Sequence, residues 1–134
     1  MVVFTNGCFD VLHRGHIELL RYCDDLILGS DGIGDVIVGV NSDSSVKRLK
    51  GDDRPINNQK DRKYLLDSIK FVDEVIIFSE DTPYKLIKKV KPDIIVKGGD
   101  YKEEDVVGND LAEVVVFNYI DGYSTSNTIR KSQK

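Results

Sequence analysis

Five short runs dominated by valine, isoleucine and phenylalanine recur along the chain: Val2 to Thr5, Asp35 to Val40, Glu74 to Phe78, Asp93 to Val96 and Glu113 to Phe117. A strand with one wet face alternates apolar and polar residues. A strand that is apolar at nearly every position must be covered on both faces, which is the habit of parallel sheets. Helical patterns separate the runs. Arg14 to about Leu28 carries Ile17, Leu20, Cys23 and Leu26 at helical spacing, and Gln59 to Ile69 sets Tyr64, Leu65 and Ile69 on one face. Thr82-Pro83 reads as a cap followed by proline at the first helical position, opening a helix to about Val90. Ser124-Thr125-Ser126 reads as the cap of a last short helix. Strands and helices in alternation predict an α/β fold, a Rossmann-like doubly wound parallel sheet.

The 134 residues fit one domain, 1–134, with no repeat, low-complexity stretch or linker to divide them. A chain of this length buries roughly two-thirds of the surface its unfolded form exposes, so its core needs no staples. Cys8 and Cys23 are the only cysteines and do not make a disulfide framework. No apolar run is long enough to span a membrane, and no basic n-region followed by an apolar stretch opens the sequence. A cytoplasmic protein with reduced thiols is the expectation. The formal net charge of −4 argues against nucleic acid as a partner, which would call for a basic face.

In a doubly wound sheet, ligands bind beyond the carboxyl ends of the strands. The chemistry-bearing residues cluster there. Both histidines of the chain, His13 and His16, stand at the start of the first helix with Gly15 between them. A helix N-terminus favours anions, and a glycine lets a phosphate approach. Three residues apart, the two imidazoles share a face and can donate to phosphate oxygens. Two incidental surface histidines, or a zinc site completed by Cys8 or Asp10, would give the same spacing. Asp10 could orient a histidine or hold the loop, and reads better as a turn residue capping backbone N–H groups. Cys8 reads as a small apolar group. Phe9 should bury its ring.

Phe9-Asp10 followed by His13-x-Gly15-His16 resembles the signature of the nucleotidyltransferases of the cytidylyltransferase-like superfamily. Asn41-Ser42-Asp43, Lys47, Arg62, Lys97-Gly98-Gly99-Asp100 and Ser124-Thr125-Ser126 fall in that family's order, so the likeness covers nearly the whole chain. Asn6-Gly7-Cys8-Phe9-Asp10, Arg54-Pro55-Ile56-Asn57 and Lys97-Gly98-Gly99-Asp100-Tyr101 resemble most the adenylyltransferase domain that activates heptose 1-phosphate.

The resemblance implies transfer of AMP from ATP to a sugar 1-phosphate, with catalysis mostly by positioning and electrostatics. It implies His13, His16, Lys47 and Arg62 as the catalytic group. Lys47 would reach the phosphates from a mobile loop after the second strand, with Lys50 a weaker candidate, and Arg62 would face them from its helix. Asn6, Gly7, Cys8, Phe9, Asp10 and Gly15 would line the phosphate site. Lys97, Gly98 and Asp100 would lie against the nucleoside, and Ser124, Thr125 and Ser126 would cradle the leaving phosphates. Mg²⁺ would arrive with the triphosphate, with no protein ligand set for it. A homodimer is implied by resemblance alone. CTP with glycerol 3-phosphate or another polyol phosphate is the alternative, and a nucleotide-binding module without turnover is the alternative of another class. Two departures stand out. About seven extra residues lie around Leu28 to Gly34, an exposed loop by composition. Tyr119 to Tyr123 has no arginine where the glycerol-phosphate enzymes carry one, which weakens the cytidylyl reading.

Overall fold

The computed structural model describes residues 1–118. The Ser124, Thr125 and Ser126 expectations therefore lie outside the described residues. The described residues hold five strands: β1 (Val2–Gly7), β2 (Asp35–Asn41), β3 (Glu74–Phe78), β4 (Ile94–Gly98) and β5 (Glu113–Phe117). They pair in parallel in the order β3-β2-β1-β4-β5. The chain runs outward from β1 through β2 to β3, then returns to lay β4 on the other side of β1. Between β1 and β4 the order reverses, and loops leaving those strands diverge to open a crevice.

Each strand divides its apolar side chains between two cores, as a sheet covered on both faces must. Val3, Val36, Val38, Val40 and Val96 pack with Leu19, Leu20, Cys23 and Ile27 of α1 (Arg14–Leu28) and Leu66 of α3 (Gln59–Asp67). Their neighbours Phe4, Ile37 and Ile95 point the other way, against Leu86 and Ile87 of α4 (Tyr84–Val90). Each fully buried aliphatic side chain contributes roughly 1.5–3 kcal/mol. Gly39 in β2 leaves room for the Phe4 ring, since a Cβ there would stand 2.9 Å from the ring edge.

Several helical expectations need correction. Asp43–Lys50 is a helix, α2, where a mobile loop was expected, so Lys47 rides on regular structure. Ser42 caps it, its Oγ accepting from the Ser45 N–H. With only Ser45 and Val46 buried, α2 shows no apolar stripe to announce it. In α3 the buried face is Arg62 and Leu66, whereas Tyr64 is 72% exposed. The helix also ends at Asp67, with Ser68 as its C-cap, short of the expected Ile69. The Thr82 cap does not form: Pro83 itself occupies the N-cap of α4, with no side-chain hydrogen bond. A short 3₁₀ turn at Glu103–Asp105 was not foreseen. The extra residues between α1 and β2 form an exposed loop, as their composition suggests.

Candidate functional site

The crevice at the β1/β4 switch point is a cleft of about 620 Å³. Its floor is the end of β1 and the loop beyond it, Asn6 through Phe9, with His16. One wall comes from β4, through Lys97, Gly98 and Gly99, with Tyr101 beyond. The opposite wall comes from the segment after β2, through Asn41, Leu49, Lys50 and Arg54. Asp81, Thr82 and Pro83 close one end.

The two histidines form a reciprocal cap at the start of α1. His13 is the N-cap, and its Nδ1 accepts from the Gly15 N–H at 3.0 Å. His16 reaches back, its Nδ1 accepting from the His13 N–H at 3.2 Å. The rings stack with centroids 3.9 Å apart, and Phe9 packs on His16 at 5.3 Å. A nitrogen that accepts carries no hydrogen, so each neutral ring bears its proton on Nε2 and each Nε2–H is a donor. Burial, and secondarily the neighbouring His13, push the His16 imidazole down to about 3. Burial lowers His13 as well. Both rings are therefore neutral donors at physiological pH.

This cap changes the expected role of the backbone. The Gly15 N–H is taken by His13 Nδ1, and the His16 and Ile17 N–H groups donate to the His13 carbonyl. Gly15 is buried and does not line the cleft. Of the two imidazoles, His16 lines the cleft and His13 does not.

Asp10 is buried, and its carboxylate accepts from the Ile56 and Asn57 N–H groups and from Arg54 Nε at 2.7 Å. Burial alone would raise its pKa. The Asn57 and Ile56 N–H groups and Arg54 outweigh that and hold it below the usual carboxylate range. Asp10 thus caps backbone N–H groups, as its residue type suggested, but on a segment 46 and 47 residues away. Asn57 answers by donating from Nδ2 to the Asp10 carbonyl.

Arg62 departs from the expectation that it faces phosphates. It is 1% exposed and does not line the cleft. Its Nε donates to the Asn57 carbonyl, one Nη to the Cys8 and Asn41 carbonyls, and the other Nη to Asp43 Oδ1. At least four of its five N–H groups are thereby engaged by the protein. Arg62 ties together the loop after β1, the end of β2, the start of α2 and the entry to α3.

Other residues fall out as follows. Lys50 lines the cleft; Lys47, one turn earlier on α2, is exposed and does not. Gly99 and Tyr101, part of the segment that carried the resemblance but not assigned to the site, line the cleft, and Asp100 is exposed outside the lining. Gly99 has φ 103°, a conformation that favours glycine. Burial lowers the Lys97 ammonium, whose Nζ lies 5.1 Å from the Tyr101 ring centroid. Burial raises the Cys8 thiol, so it is no ready nucleophile. Phe9 is buried as expected and adopts φ 47°, a strained value for a bulky residue, at the heart of the site. Arg54 belongs to a segment that carried the resemblance but was given no place in the site, because its partner Asp10 lies 44 positions away.

The sequence matches the family described as cytidylyltransferase-like over residues 4–134. It is 60% identical over 132 residues to the bifunctional protein HldE of Nitratiruptor sp., covering 97% of this chain and 27% of that protein. Against the bifunctional protein HldE of Helicobacter pylori strain J99 the identity is 50%, over 99% of this chain and 28% of the relative. The chain thus spans about a quarter of the length of the curated relatives it matches. The crystal structure of a lipopolysaccharide core biosynthesis protein from Thermoplasma volcanium superposes with a TM-score of 0.74 at 29% identity, covering 90% of this chain and 98% of the other.

Proposed function

We propose a function on the premise that this chain belongs to the cytidylyltransferase-like family, which the match over residues 4–134 establishes. The chain transfers AMP from ATP to a sugar 1-phosphate of the heptose 1-phosphate kind. A phosphate oxygen of the acceptor attacks the α-phosphorus in line. The bond from that phosphorus to the bridging oxygen of the β-phosphate breaks, pyrophosphate leaves, and a nucleoside diphosphate sugar forms. The acceptor oxygen is already ionised at neutral pH, so no general base is required.

The observation that carries this reading is the stacked, neutral histidine pair at the α1 start, beside a cleft at the switch point. Charge grows on the α-phosphoryl oxygens and on the leaving pyrophosphate. Donors fixed before the reaction stabilise that charge without reorganising. Lys50 and Lys97 bring positive charge from opposite walls, and Lys47 reaches phosphates from the rim of α2. Arg62 acts by holding the loops. Gly98 and Gly99 leave the backbone of β4 open to a flat base. The donors in the cleft are the neutral His16 imidazole and the cationic Lys50, Lys97 and Arg54 side chains, which suit phosphate oxygens. Mg²⁺ would be held by the triphosphate rather than by a protein ligand set, and would supply neutralisation of the phosphate charge.

Adenine is favoured over cytosine by the likeness of the Lys97-Gly98-Gly99-Asp100-Tyr101 segment, and by the HldE relatives at 50% identity or more. The name of the Thermoplasma protein, in lipopolysaccharide core biosynthesis, agrees with a sugar as acceptor. A homodimer belongs to the same reading, and sedimentation of the purified chain tests it. No helix of the described residues is long and apolar enough to cross a membrane.

The test is pyrophosphate release with Mg²⁺, crossing ATP and CTP with heptose 1-phosphate and glycerol 3-phosphate. Release with ATP and heptose 1-phosphate alone is expected. Release only with CTP and glycerol 3-phosphate would overturn the substrate and keep the mechanism. Nucleotide binding without release in any combination would make the chain a binding module.

A further inference from the structure

Two arginines anchor the segment between α2 and α3, and they spend their hydrogen-bonding capacity differently. Arg62 is fully enclosed and gives at least four N–H groups to protein oxygens. Arg54 lines the cleft with a side chain 16% exposed. Among the described residues its guanidinium makes one hydrogen bond, from Nε to Asp10 Oδ2 at 2.7 Å. Four N–H groups on its two terminal nitrogens remain.

An arginine held only through Nε is oriented without being consumed. Asp10 is itself fixed by two backbone N–H groups, so the guanidinium plane is set before any ligand arrives. The terminal nitrogens of such a plane match two oxygens of a phosphate, a fit that an ammonium lacks. The surroundings select for an anion. Lys50 on the same wall and Lys97 on the opposite one are cations, whereas among the described residues Asp81 is the one acidic residue lining the cleft. Asp10 lies behind Arg54 with its side chain wholly buried, and does not meet the ligand.

We infer that Arg54 is a phosphate-binding residue, oriented by Asp10 through Nε and contacting a substrate phosphate through its terminal nitrogens. This rests on the reading of the cleft as a site for phosphorylated substrates. The phosphate belongs either to the sugar 1-phosphate acceptor or to the triphosphate, and the two are separable by titration.

The experiment uses the full chain and the variants Arg54→Met and Arg54→Lys. Inorganic pyrophosphate, ATP with Mg²⁺, and heptose 1-phosphate are titrated separately by calorimetry at 25 °C, below each variant's melting point. Arg54→Met should weaken at least one ligand on the order of 10- to 100-fold. Arg54→Lys, which keeps the charge but not the fork, should fall between Met and wild type. If Arg54→Met fails to fold, the Lys variant carries the test, with weakening of about tenfold expected. Loss confined to heptose 1-phosphate assigns Arg54 to the acceptor. Loss confined to ATP and pyrophosphate assigns it to the triphosphate. Unchanged affinity for all three in the folded variants overturns the inference and leaves Arg54 a structural latch for Asp10. A wild type that binds none of the three overturns it as well. Pyrophosphate binding that depends on Arg54, without turnover by the wild type, would sink the transferase reading alone.

Discussion

The floor of the cleft and its β2-side wall are held in place by opposite means. At the floor, His13, Gly15 and His16 cap one another within four consecutive residues, and the partners stand two or three positions apart. The wall residue Arg54 belongs to a stretch with no regular structure, residues 51–58, pinned by partners far along the chain. Asp10 holds Arg54, Ile56 and Asn57 across 44 to 47 positions, and Arg62 reaches Cys8 across 54. A locally capped helix start keeps its geometry whatever its neighbours do. A wall clasped by buried charges keeps its geometry only while every partner is present. The floor should therefore fail in chemistry with the fold intact, and the wall should fail in stability first.

The largest effect expected is at the clasp. Arg62→Met leaves the Cys8, Asn41 and Asn57 carbonyls without their donor and should cost about 3–5 kcal/mol, read as a drop in the denaturant midpoint. A variant as stable as the wild type would break the comparison. Next comes His16→Ala. Removing one preorganised donor should lower kcat on the order of 100- to 1,000-fold, with the melting point little changed relative to Arg62→Met. Near-wild-type turnover would remove the histidine pair from the mechanism.

Acid sharpens the contrast in another way. An unfolded histidine takes up a proton as pH falls through 6.5, whereas folded His16 resists until about 3. The unfolded state thus binds more protons in that window, and stability present above pH 6.5 is progressively lost below it. His16 alone should cost about 2 kcal/mol by pH 5, and His13 shifts in the same direction. Asp10, also lowered from its ordinary value of 3.8, acts the same way at still lower pH, so the histidines can be read separately. His16→Gln should flatten the profile between pH 6.5 and 5. An unaltered slope would mean that the imidazole is not held neutral. The smallest effect is Lys50→Ala, which should raise a substrate KM about tenfold through the loss of one charge-assisted contact, with unfolding unchanged.

The same division decides what the sequence could disclose. All five strands were legible, because Val and Ile at consecutive positions fit only a sheet buried on both faces. The histidine pair was legible because its partners are near neighbours. α2 was not, since Ser45 and Val46 alone point inward and no periodicity results. Arg62 was expected to face phosphates from its helix; that it is buried follows from three carbonyls and a carboxylate supplied by other segments. Arg54 stood in a recognisable segment, but its place in the site was hidden for the same reason. Asp10 showed its chemistry, capping backbone N–H groups, but not its target. Short-range signals write the elements and the local cap into the sequence, while the closure of the wall exists only after the chain has folded.

The central claim is that two imidazoles, locked by their own helix cap, serve as neutral donors beside the cleft. Nitrogen-15 NMR of the two histidine rings across pH tests it most directly. The account predicts neutral rings protonated at Nε2 in both histidines at pH 7, with His16 showing no protonation until the pH approaches about 3. An imidazolium at His16 near pH 6, or a proton on Nδ1 of either ring, would contradict it.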